Sequence, residues 1–301
     1  MSIIYCKTMP DFRNYYRPRH IDEAIKVLSE NGEGGVILAG GTDVLIWMRQ
    51  RSLEPEYVLD ITGIENLDYI DLVDGGETRI GALVTIGDIR RSKELSKRYP
   101  LLYEVANKMG NVQVSNLATA TGNICRASPS ADMGCALLAL DSKVEIVGPD
   151  STRDVALSDF YIGSGETVLK NNEIVKEIII PALKSSTGTV FLRATRSDAD
   201  LATVNVAVTM TMEGDECIDA RVVLGSVSTT LLRVKEAEKV LRDHAIDEAL
   251  AEKSGRIASD ATNPRDEGGV RASIDYKKHM AQVLTKEATM IACKRAKQEQ
   301  D

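Results

Sequence analysis

The chain has 301 residues, enough for about two or three packed units, and its 43% hydrophobic and 27% charged residues are typical of a globular protein. The formal net charge of −8 disfavours nucleic acid as a partner, because binding to phosphates requires a basic surface. No apolar run reaches the roughly 18 residues of a membrane-spanning helix, and the N-terminus lacks a signal-peptide pattern, so we expect a cytoplasmic protein without a membrane span.

The N-terminal region alternates short apolar runs with helical patterns. Apolar residues at 21–28 share one helix face, with two acidic residues in the first turn. A strand-like run at 36–39 then meets a glycine turn, and an apolar segment follows at 44–48. This order predicts a strand, a glycine turn and a helix.

The middle of the chain repeats this layout more loosely. Strands are predicted at 57–61, 78–83 and 143–147, and helices from near Ser92, at 101–108 and at 131–140. Residues 112–120 lead into a second predicted glycine turn at 121–123, directly before the last of these helices.

Beyond residue 150 the pattern changes. Strand-like runs without intervening helices predict an antiparallel sheet, and they lie at 174–180, 189–196, 202–212 and 217–224. The last third is rich in helix formers, which predict helices at 232–241, 246–258 and 275–294.

Cysteine and histidine are too scattered to indicate a metal centre. The cysteines include no Cys-x-x-Cys pair, so we expect no disulfide framework, zinc site or iron-sulfur cluster within this chain. The histidines are far apart, which favours surface or core positions over catalytic roles. These residues are Cys6, Cys125, Cys135, Cys217, Cys293, His20, His244 and His279.

The first segment that can carry chemistry is the turn Gly40-Gly41-Thr42-Asp43. Adjacent glycines let backbone N–H groups approach an anion without Cβ interference, and a following helix favours a phosphate through its dipole. Thr42 can add a hydroxyl donor, whereas Asp43 is better suited to ligand hydroxyls or to capping the helix. From these residues alone, a pyrophosphate site and an ordinary strand–helix turn are both open.

The second segment covers residues 119–132 and combines a glycine, hydroxyl residues, an amide and a carboxylate. Such a density of short polar groups can satisfy a hydroxylated chain and a diphosphate together. The residues alone fit slightly better an ordinary helix start at Ser128-Pro129-Ser130, with Asp132 as its first-turn acid.

Common nucleotide motifs do not explain these segments. Gly32-Glu33-Gly34 lacks the third glycine of the dinucleotide fingerprint and precedes a strand instead of following one. The sequence has no Gly-Lys-Ser or Gly-Lys-Thr phosphate loop, which disfavours an ATPase.

Several short motifs follow one another along nearly the whole chain. They are Tyr16-x-Pro18 with Asp22-Glu23-Ala24, Ala39-Gly40-Gly41-Thr42-Asp43, Ile80-Gly81-Ala82-Leu83-Val84-Thr85, Gln113-Val114-Ser115-Asn116-Leu117-Ala118-Thr119, Gly122-Asn123-Ile124-Cys125-Arg126-Ala127-Ser128-Pro129-Ser130-Ala131-Asp132, Leu137-Leu138-Ala139-Leu140-Asp141, Leu224-Gly225-Ser226-Val227, Ala237-Glu238 with Leu241, and Tyr276-Lys277. In order and spacing they resemble the FAD-binding subunit of the molybdenum hydroxylases, the family of xanthine dehydrogenase and carbon monoxide dehydrogenase.

The resemblance implies a non-covalent FAD site built on both segments. The first segment would cradle the diphosphate, Val175 would lie near the adenine, and Arg193 would stand where relatives often have a lysine near the flavin. The family usually has two glycines where this chain has Thr121-Gly122, and a hydroxyl contact can replace the lost backbone approach. The implied FAD-binding residues are Ile37, Leu38, Ala39, Gly40, Gly41, Thr42, Asp43, Val44, Thr119, Thr121, Gly122, Asn123, Asp132, Val175 and Arg193.

The resemblance also implies a role within a heterotrimer. A large subunit would carry the molybdenum cofactor and oxidise an aldehyde, carbon monoxide, a purine or an N-heterocycle, and a small subunit would carry two 2Fe-2S clusters. This chain would pass the electrons through FAD to NAD+ or another acceptor. It needs no acid or base for this transfer, so we nominate no catalytic residue.

Two other functions stay open at this point. One is a stand-alone flavin oxidoreductase with its own small substrate, in which Cys125 could tether the flavin. The other is a scaffold that has kept the fold and lost the cofactor. Relatives that reduce an aromatic thioester carry an additional cysteine-bearing insertion, which is missing here.

The predicted fold class is α+β. An FAD-binding domain of the vanillyl-alcohol-oxidase/MurB-like type is expected at 1–181, with two α/β subdomains at about 1–56 and 57–181. A C-terminal flavoprotein domain at 188–295 is expected to hold an antiparallel sheet with helices.

Overall fold

A computed structural model describes residues 11–73, 76–197, 200–265 and 272–298. These residues form sheets of three, five and four strands, a two-stranded ribbon, twelve α-helices and one short 3₁₀ helix (Ile61–Gly63). Cys6 lies outside the described residues. None of the described helices is both long enough and apolar enough to cross a membrane.

The first sheet is parallel, with strand order β1-β3-β2, and it carries the first glycine turn at one end. Helix α1 buries Ala24, Ile25 and Leu28, the face that the apolar spacing predicts. A subdomain boundary between 56 and 57 would cut this sheet, because β3 pairs with both of its neighbours. The elements are β1 (Asn14–Tyr16), α1 (Ile21–Asn31), β2 (Gly35–Leu38), α2 (Val44–Gln50) and β3 (Tyr57–Asp60).

The second sheet is antiparallel, with strand order β4-β5-β10-β6-β7, and it packs with six of the seven helices of this region around the largest core among the described residues; α6 contributes no residue to that core. Its strands are β4 (Ile70–Leu72), β5 (Thr78–Gly81), β6 (Lys143–Val147), β7 (Thr152–Ala156) and β10 (Ile174–Ile180). Its helices are α3 (Ile86–Arg91), α4 (Lys93–Arg98), α5 (Pro100–Lys108), α6 (Val112–Ser115), α7 (Ala120–Cys125), α8 (Asp132–Ala139) and α9 (Leu157–Phe160). A small ribbon, β8 (Tyr161–Gly163) and β9 (Glu166–Thr167), follows α9.

The helix expected from near Ser92 is confirmed by α4, but two neighbouring stretches differ from the sequence-based expectation. A helix already begins at Ile86, because Thr85 and Asp88 form a reciprocal capping box, and Ser92 ends this helix and caps the next one. The predicted second glycine turn is helical: Thr119 accepts a hydrogen bond from the Gly122 backbone N–H and starts α7.

The C-terminal part is the antiparallel sheet with helices that the strand pattern predicts, in strand order β11-β12-β13-β14. The long helix α12 packs against β11 and β12, and a Cβ atom at Gly188 would lie 2.0 Å from the Ala292 backbone oxygen, so the helix backbone approaches the sheet closely. The elements are β11 (Thr187–Ala194), β12 (Val204–Glu213), β13 (Glu216–Gly225), β14 (Leu232–Arg233), α10 (Lys235–Leu241), α11 (Glu248–Asp260) and α12 (Ile274–Gln298).

Helix α5 joins the two parts of the chain. Glu104 accepts a hydrogen bond from the Phe191 backbone N–H (3.1 Å), and Lys108 donates one to the Phe191 carbonyl (3.0 Å). Glu104 also pairs with Arg295 of α12 at 2.6 Å. These contacts occupy backbone groups of the edge strand β11, and α8 packs beside them against β12 and β13.

Candidate cofactor site

The two chemistry-bearing segments meet at Gly40. A Cβ atom at this position would lie 1.9 Å from the Leu117 backbone oxygen and 3.1 Å from the Ala118 Cα. The approach is held in place from the other side, where the Ile86 N–H donates to the Ala118 carbonyl (2.8 Å) and the Ala120 N–H donates to the Val84 carbonyl (3.2 Å). A side chain at position 40 would therefore separate the two segments.

A second contact joins the segments further along. The Arg126 guanidinium, which follows α7, lies 4.3 Å from the centre of the Trp47 ring on α2. This distance is well within the range of a cation–π interaction. The helix after the first turn and the end of the second segment are thus in direct contact.

A cavity of about 690 Å³ opens where the segments meet. This volume is within the range of about 300–1,000 Å³ that small-molecule and cofactor sites occupy. Its lining includes Ala39, Gly40, Thr85, Leu117 and Thr119, together with the loop after β3.

In the first segment, Gly41 has a φ of +69°, a left-handed conformation that favours glycine. Thr42 is half-buried and Val44 begins α2. Asp43 occupies the N-cap position, but its exposed side chain makes no capping hydrogen bond. Of the two roles expected for Asp43, side-chain capping is not observed, and its carboxylate faces solvent beside the turn.

In the second segment, three predicted residues serve different local purposes. The Thr119 hydroxyl accepts the Gly122 N–H at 2.9 Å, and the Asn123 side-chain oxygen accepts the Gly134 N–H at 3.3 Å. Thr121 differs from both, because its buried hydroxyl has no hydrogen-bond partner among the described residues. A buried polar group without a partner is costly, so this hydroxyl is a candidate contact for a ligand.

Asp132 is held between two residues of the C-terminal sheet. Its carboxylate accepts hydrogen bonds from the Arg193 guanidinium at 3.0 Å and from the Asn205 side-chain amide at 2.5 Å. Burial raises the pKa of Asp132, although the hydrogen bond from Asn205 and the charge of Arg193 act in the opposite direction. The structure therefore brings Asp132 and Arg193 together, as two residues of one implied site should be.

Asn205 is not among the FAD-binding residues that the sequence analysis implies. It is fully buried on β12. The available signal is an amide in the middle of an apolar strand pattern, Val204-Asn205-Val206, because a buried amide requires hydrogen-bond partners. Sequence alone does not say which groups those partners are.

Val175 lies apart from the cavity. It is a buried residue of β10, and the residues that line the 690 Å³ cavity do not include Val175, Asp132 or Arg193. Its assignment to the adenine stays a prediction.

A second cavity, of about 310 Å³, lies beside residues 126–130. Arg126 and Arg265 supply positive charge to its lining, which also includes the buried Lys277, and among its described lining residues there is no carboxylate. Six hydroxyl residues also line it, together with three apolar residues: Ser128, Ser130, Ser164, Thr203, Ser226 and Ser228, and Pro129, Leu201 and Ala202. Cationic and hydroxyl groups in this combination suit an anionic ligand.

Comparison with known proteins gives the family. Residues 10–183 match the FAD binding domain in molybdopterin dehydrogenase, and residues 189–292 match the CO dehydrogenase flavoprotein C-terminal domain. The chain belongs to the FAD-binding subunits of the molybdenum hydroxylases. It is accordingly an oxidoreductase subunit with an FAD-binding domain, and its α+β fold class is confirmed.

Relatives in this family match the chain over nearly its full length. The carbon monoxide dehydrogenase medium chain of Afipia carboxidovorans is 31% identical over 96% of this chain and 99% of its own. The xanthine dehydrogenase FAD-binding subunit of Escherichia coli O157:H7 is 29% identical over 92% of this chain and 95% of its own.

Among solved structures, carbon monoxide dehydrogenase from Hydrogenophaga pseudoflava, in a form lacking the Mo-pyranopterin moiety, superimposes with a TM-score of 0.92. It is 30% identical to this chain, and the match covers 96% of this chain and 99% of the other.

The residues present fit FAD. Gly40, which has no side chain, lines the cavity together with Ala39, and the turn precedes a helix. The unpartnered Thr121 hydroxyl lies in the second segment, where the family pattern would have a glycine. Both features favour a ligand with phosphate and hydroxyl groups.

Proposed function

We propose that this chain is the electron-transfer subunit of a molybdenum-containing hydroxylase or dehydrogenase complex. In this proposal a small subunit with 2Fe-2S clusters delivers electrons, and a large molybdopterin subunit oxidises the substrate. The observation that carries it is the meeting of the two segments at Gly40, because a diphosphate can be held there by backbone groups of both.

The FAD-binding residues divide by the part of the cofactor they contact. Residues 37–44 bind the diphosphate. Residues 119–123 contribute backbone amides and hydroxyl groups to the same diphosphate site, including the Thr121 hydroxyl. Asp132 and Arg193 orient the flavin ring, and Val175 lies at the adenine. When bound, FAD supplies the transfer of electrons between one-electron clusters and a two-electron acceptor.

Non-covalent binding is supported by the state of Cys125. Burial raises the pKa of this thiol to about 12, so it stays protonated near neutral pH and is a poor nucleophile. The histidines His20, His244 and His279 are all exposed, so of the surface or core positions expected for them they occupy the surface ones. Acid denaturation should therefore release the yellow colour into solution, whereas colour retained on the protein would contradict a non-covalent site.

The binding test uses Trp47, the only tryptophan of the chain. Because its ring contacts Arg126 beside the first turn, FAD should change its fluorescence on titration. A protein that shows neither a Trp47 response nor visible absorbance with excess FAD would overturn the proposal. Copurification with iron-sulfur and molybdenum subunits tests the assembly, and an active lone chain would instead support the stand-alone oxidoreductase.

For the acceptor, the 310 Å³ cavity supports NAD+ or another acceptor with phosphate groups, because the guanidinium groups of Arg126 and Arg265 line it. Arg265→Ala should weaken NADH-dependent reduction of bound FAD under anaerobic conditions without changing FAD affinity. The matched control is Arg256→Ala, an exposed arginine on α11. Equal rates in both variants would count against this acceptor site.

A further inference from the structure

A row of three residues crosses the C-terminal sheet beside Asp132. Arg193 on β11 is the register partner of Asn205 on β12, and Asn205 is the register partner of Gly225 on β13. Register partners point to the same face of a sheet. The row therefore presents to α8 the Arg193 guanidinium, the Asn205 amide and, at Gly225, a position without a side chain.

The absence of a side chain at Gly225 leaves space for the Asn205 amide. A Cβ atom at Gly225 would lie only 2.1 Å from the Asn205 side-chain oxygen. Asn205 itself is fully buried, and its side-chain nitrogen donates to one oxygen of the Asp132 carboxylate while Arg193 donates to the other. The carboxylate is thus held at both oxygens, and neither donor alone would define its orientation.

We propose that Asn205 is a positioning residue of the FAD site, which holds the Asp132 carboxylate in the orientation paired with Arg193, and that Gly225 is the glycine that admits it. This inference rests on the proposed function, in which Asp132 and Arg193 face the flavin ring. Asn205 acts on the cofactor through Asp132 and not by direct contact.

The consequence is electrostatic. The amide stabilises the ionised form of a carboxylate that burial already drives towards protonation, and the other charges acting on it are Arg193 and Lys108. Without the amide, Asp132 is protonated more readily, which lowers the average negative charge beside the flavin. A less negative electrostatic potential at the flavin favours the reduced form of FAD, because reduction adds electrons to the ring.

The test measures the midpoint potential of FAD bound to the full chain by anaerobic dye titration. Asn205→Leu should bind reduced FAD at least tenfold more favourably relative to oxidised FAD, which is a shift of about 30 mV to a more positive potential. In an Asp132→Asn background the same substitution should have no further effect, because its route to the flavin has been removed. The matched control is Thr209→Val, which changes a buried residue on the same strand and should leave the potential unchanged.

Gly225→Ala provides a second route if Asn205→Leu does not fold. The added methyl displaces the Asn205 amide, the nearest group to it, and also comes within 2.9 Å of the Pro129 backbone oxygen; the potential should again become more positive. An unchanged or more negative potential in FAD-bound variants overturns this inference alone. A wild-type chain that fails to bind FAD overturns the proposed function as well.

Discussion

At the residue scale, the absence of a side chain at Gly40 controls the meeting of the two segments. In Gly40→Ala the new Cβ would overlap the Leu117 backbone oxygen, so the loops must move apart. We expect a loss of about 1–3 kcal/mol in the free energy of unfolding. FAD affinity should fall at least tenfold, as measured by Trp47 fluorescence titration.

The control for this variant is Gly163→Ala. Its Cβ would meet only the flexible end of the Glu166 side chain, at 3.0 Å. Its stability should change by less than about 0.5 kcal/mol and its FAD affinity should stay at the wild-type value. If the two variants bind FAD equally well, the role of Gly40 is disproved.

Thr121 gives a prediction in which stability and binding change in opposite directions. Because its buried hydroxyl has no partner among the described residues, Thr121→Val should stabilise the FAD-free protein by about 1 kcal/mol. The same change should weaken FAD binding about fivefold, since the ligand loses a hydrogen bond worth about 1 kcal/mol.

Thr209→Val is the control for Thr121, because the Thr209 hydroxyl is also buried without a partner in the described part of the chain. It should stabilise the protein to a similar degree and leave FAD affinity unchanged. Denaturation in urea and FAD titration measure the two quantities. An unaltered FAD affinity in Thr121→Val would exclude its hydroxyl from the site.

At the scale of single elements, the start of α7 couples helix formation to the cofactor site. Thr119→Ala removes the cap on the Gly122 N–H and should cost about 1 kcal/mol in the free energy of unfolding. Because α7 carries Thr121 and Asn123, the FAD affinity of Thr119→Ala should also fall.

Ser92→Ala removes an equivalent cap, on the Leu95 N–H at the start of α4. It should lower the free energy of unfolding by a similar amount, about 1 kcal/mol, without affecting FAD. If both variants lose FAD affinity equally, the effect of Thr119 is one of general stability and not of the site.

At the scale of the whole molecule, Glu104 links the FAD-binding part to the C-terminal sheet. Glu104→Ala removes the acceptor of the Phe191 N–H and the partner of Arg295, and should cost about 1–3 kcal/mol. Trp47 fluorescence reports on the first part of the chain and far-ultraviolet circular dichroism on all of it. We expect the gap between their urea midpoints to widen relative to wild type.

Glu236→Ala removes the same side chain from an exposed pair with Lys239. Its stability should stay within about 0.5 kcal/mol of wild type, and its two midpoints should not separate further. A Glu104→Ala variant with unchanged midpoints would show that α5 does not couple the two parts.

Much of the fold follows from local patterns. The 3.6-residue spacing at 21–28 predicts α1, and the order of apolar run, glycines and apolar run predicts β2, the turn and α2. The sequence patterns did not predict two short helices whose starts are set by N-capping side chains. The Thr85–Asp88 capping box starts α3 in a stretch that looks like a loop, and Thr119 starts α7 in a stretch that looks like a turn. Their first turns are stabilised by side-chain hydrogen bonds that apolar periodicity does not record.

The candidate site also has features that the sequence predicts and features that only the tertiary structure determines. Its glycines, hydroxyls and Asp132 are recognisable because their chemistry and order are written in consecutive residues, and so is the family to which the chain belongs. The contact of Gly40 with Leu117, the pairing of Asp132 with Arg193, and the amide of Asn205 are decided only by the tertiary structure. Each joins residues more than 60 positions apart, and such contacts exist only once sheets and helices pack and remove the groups from water.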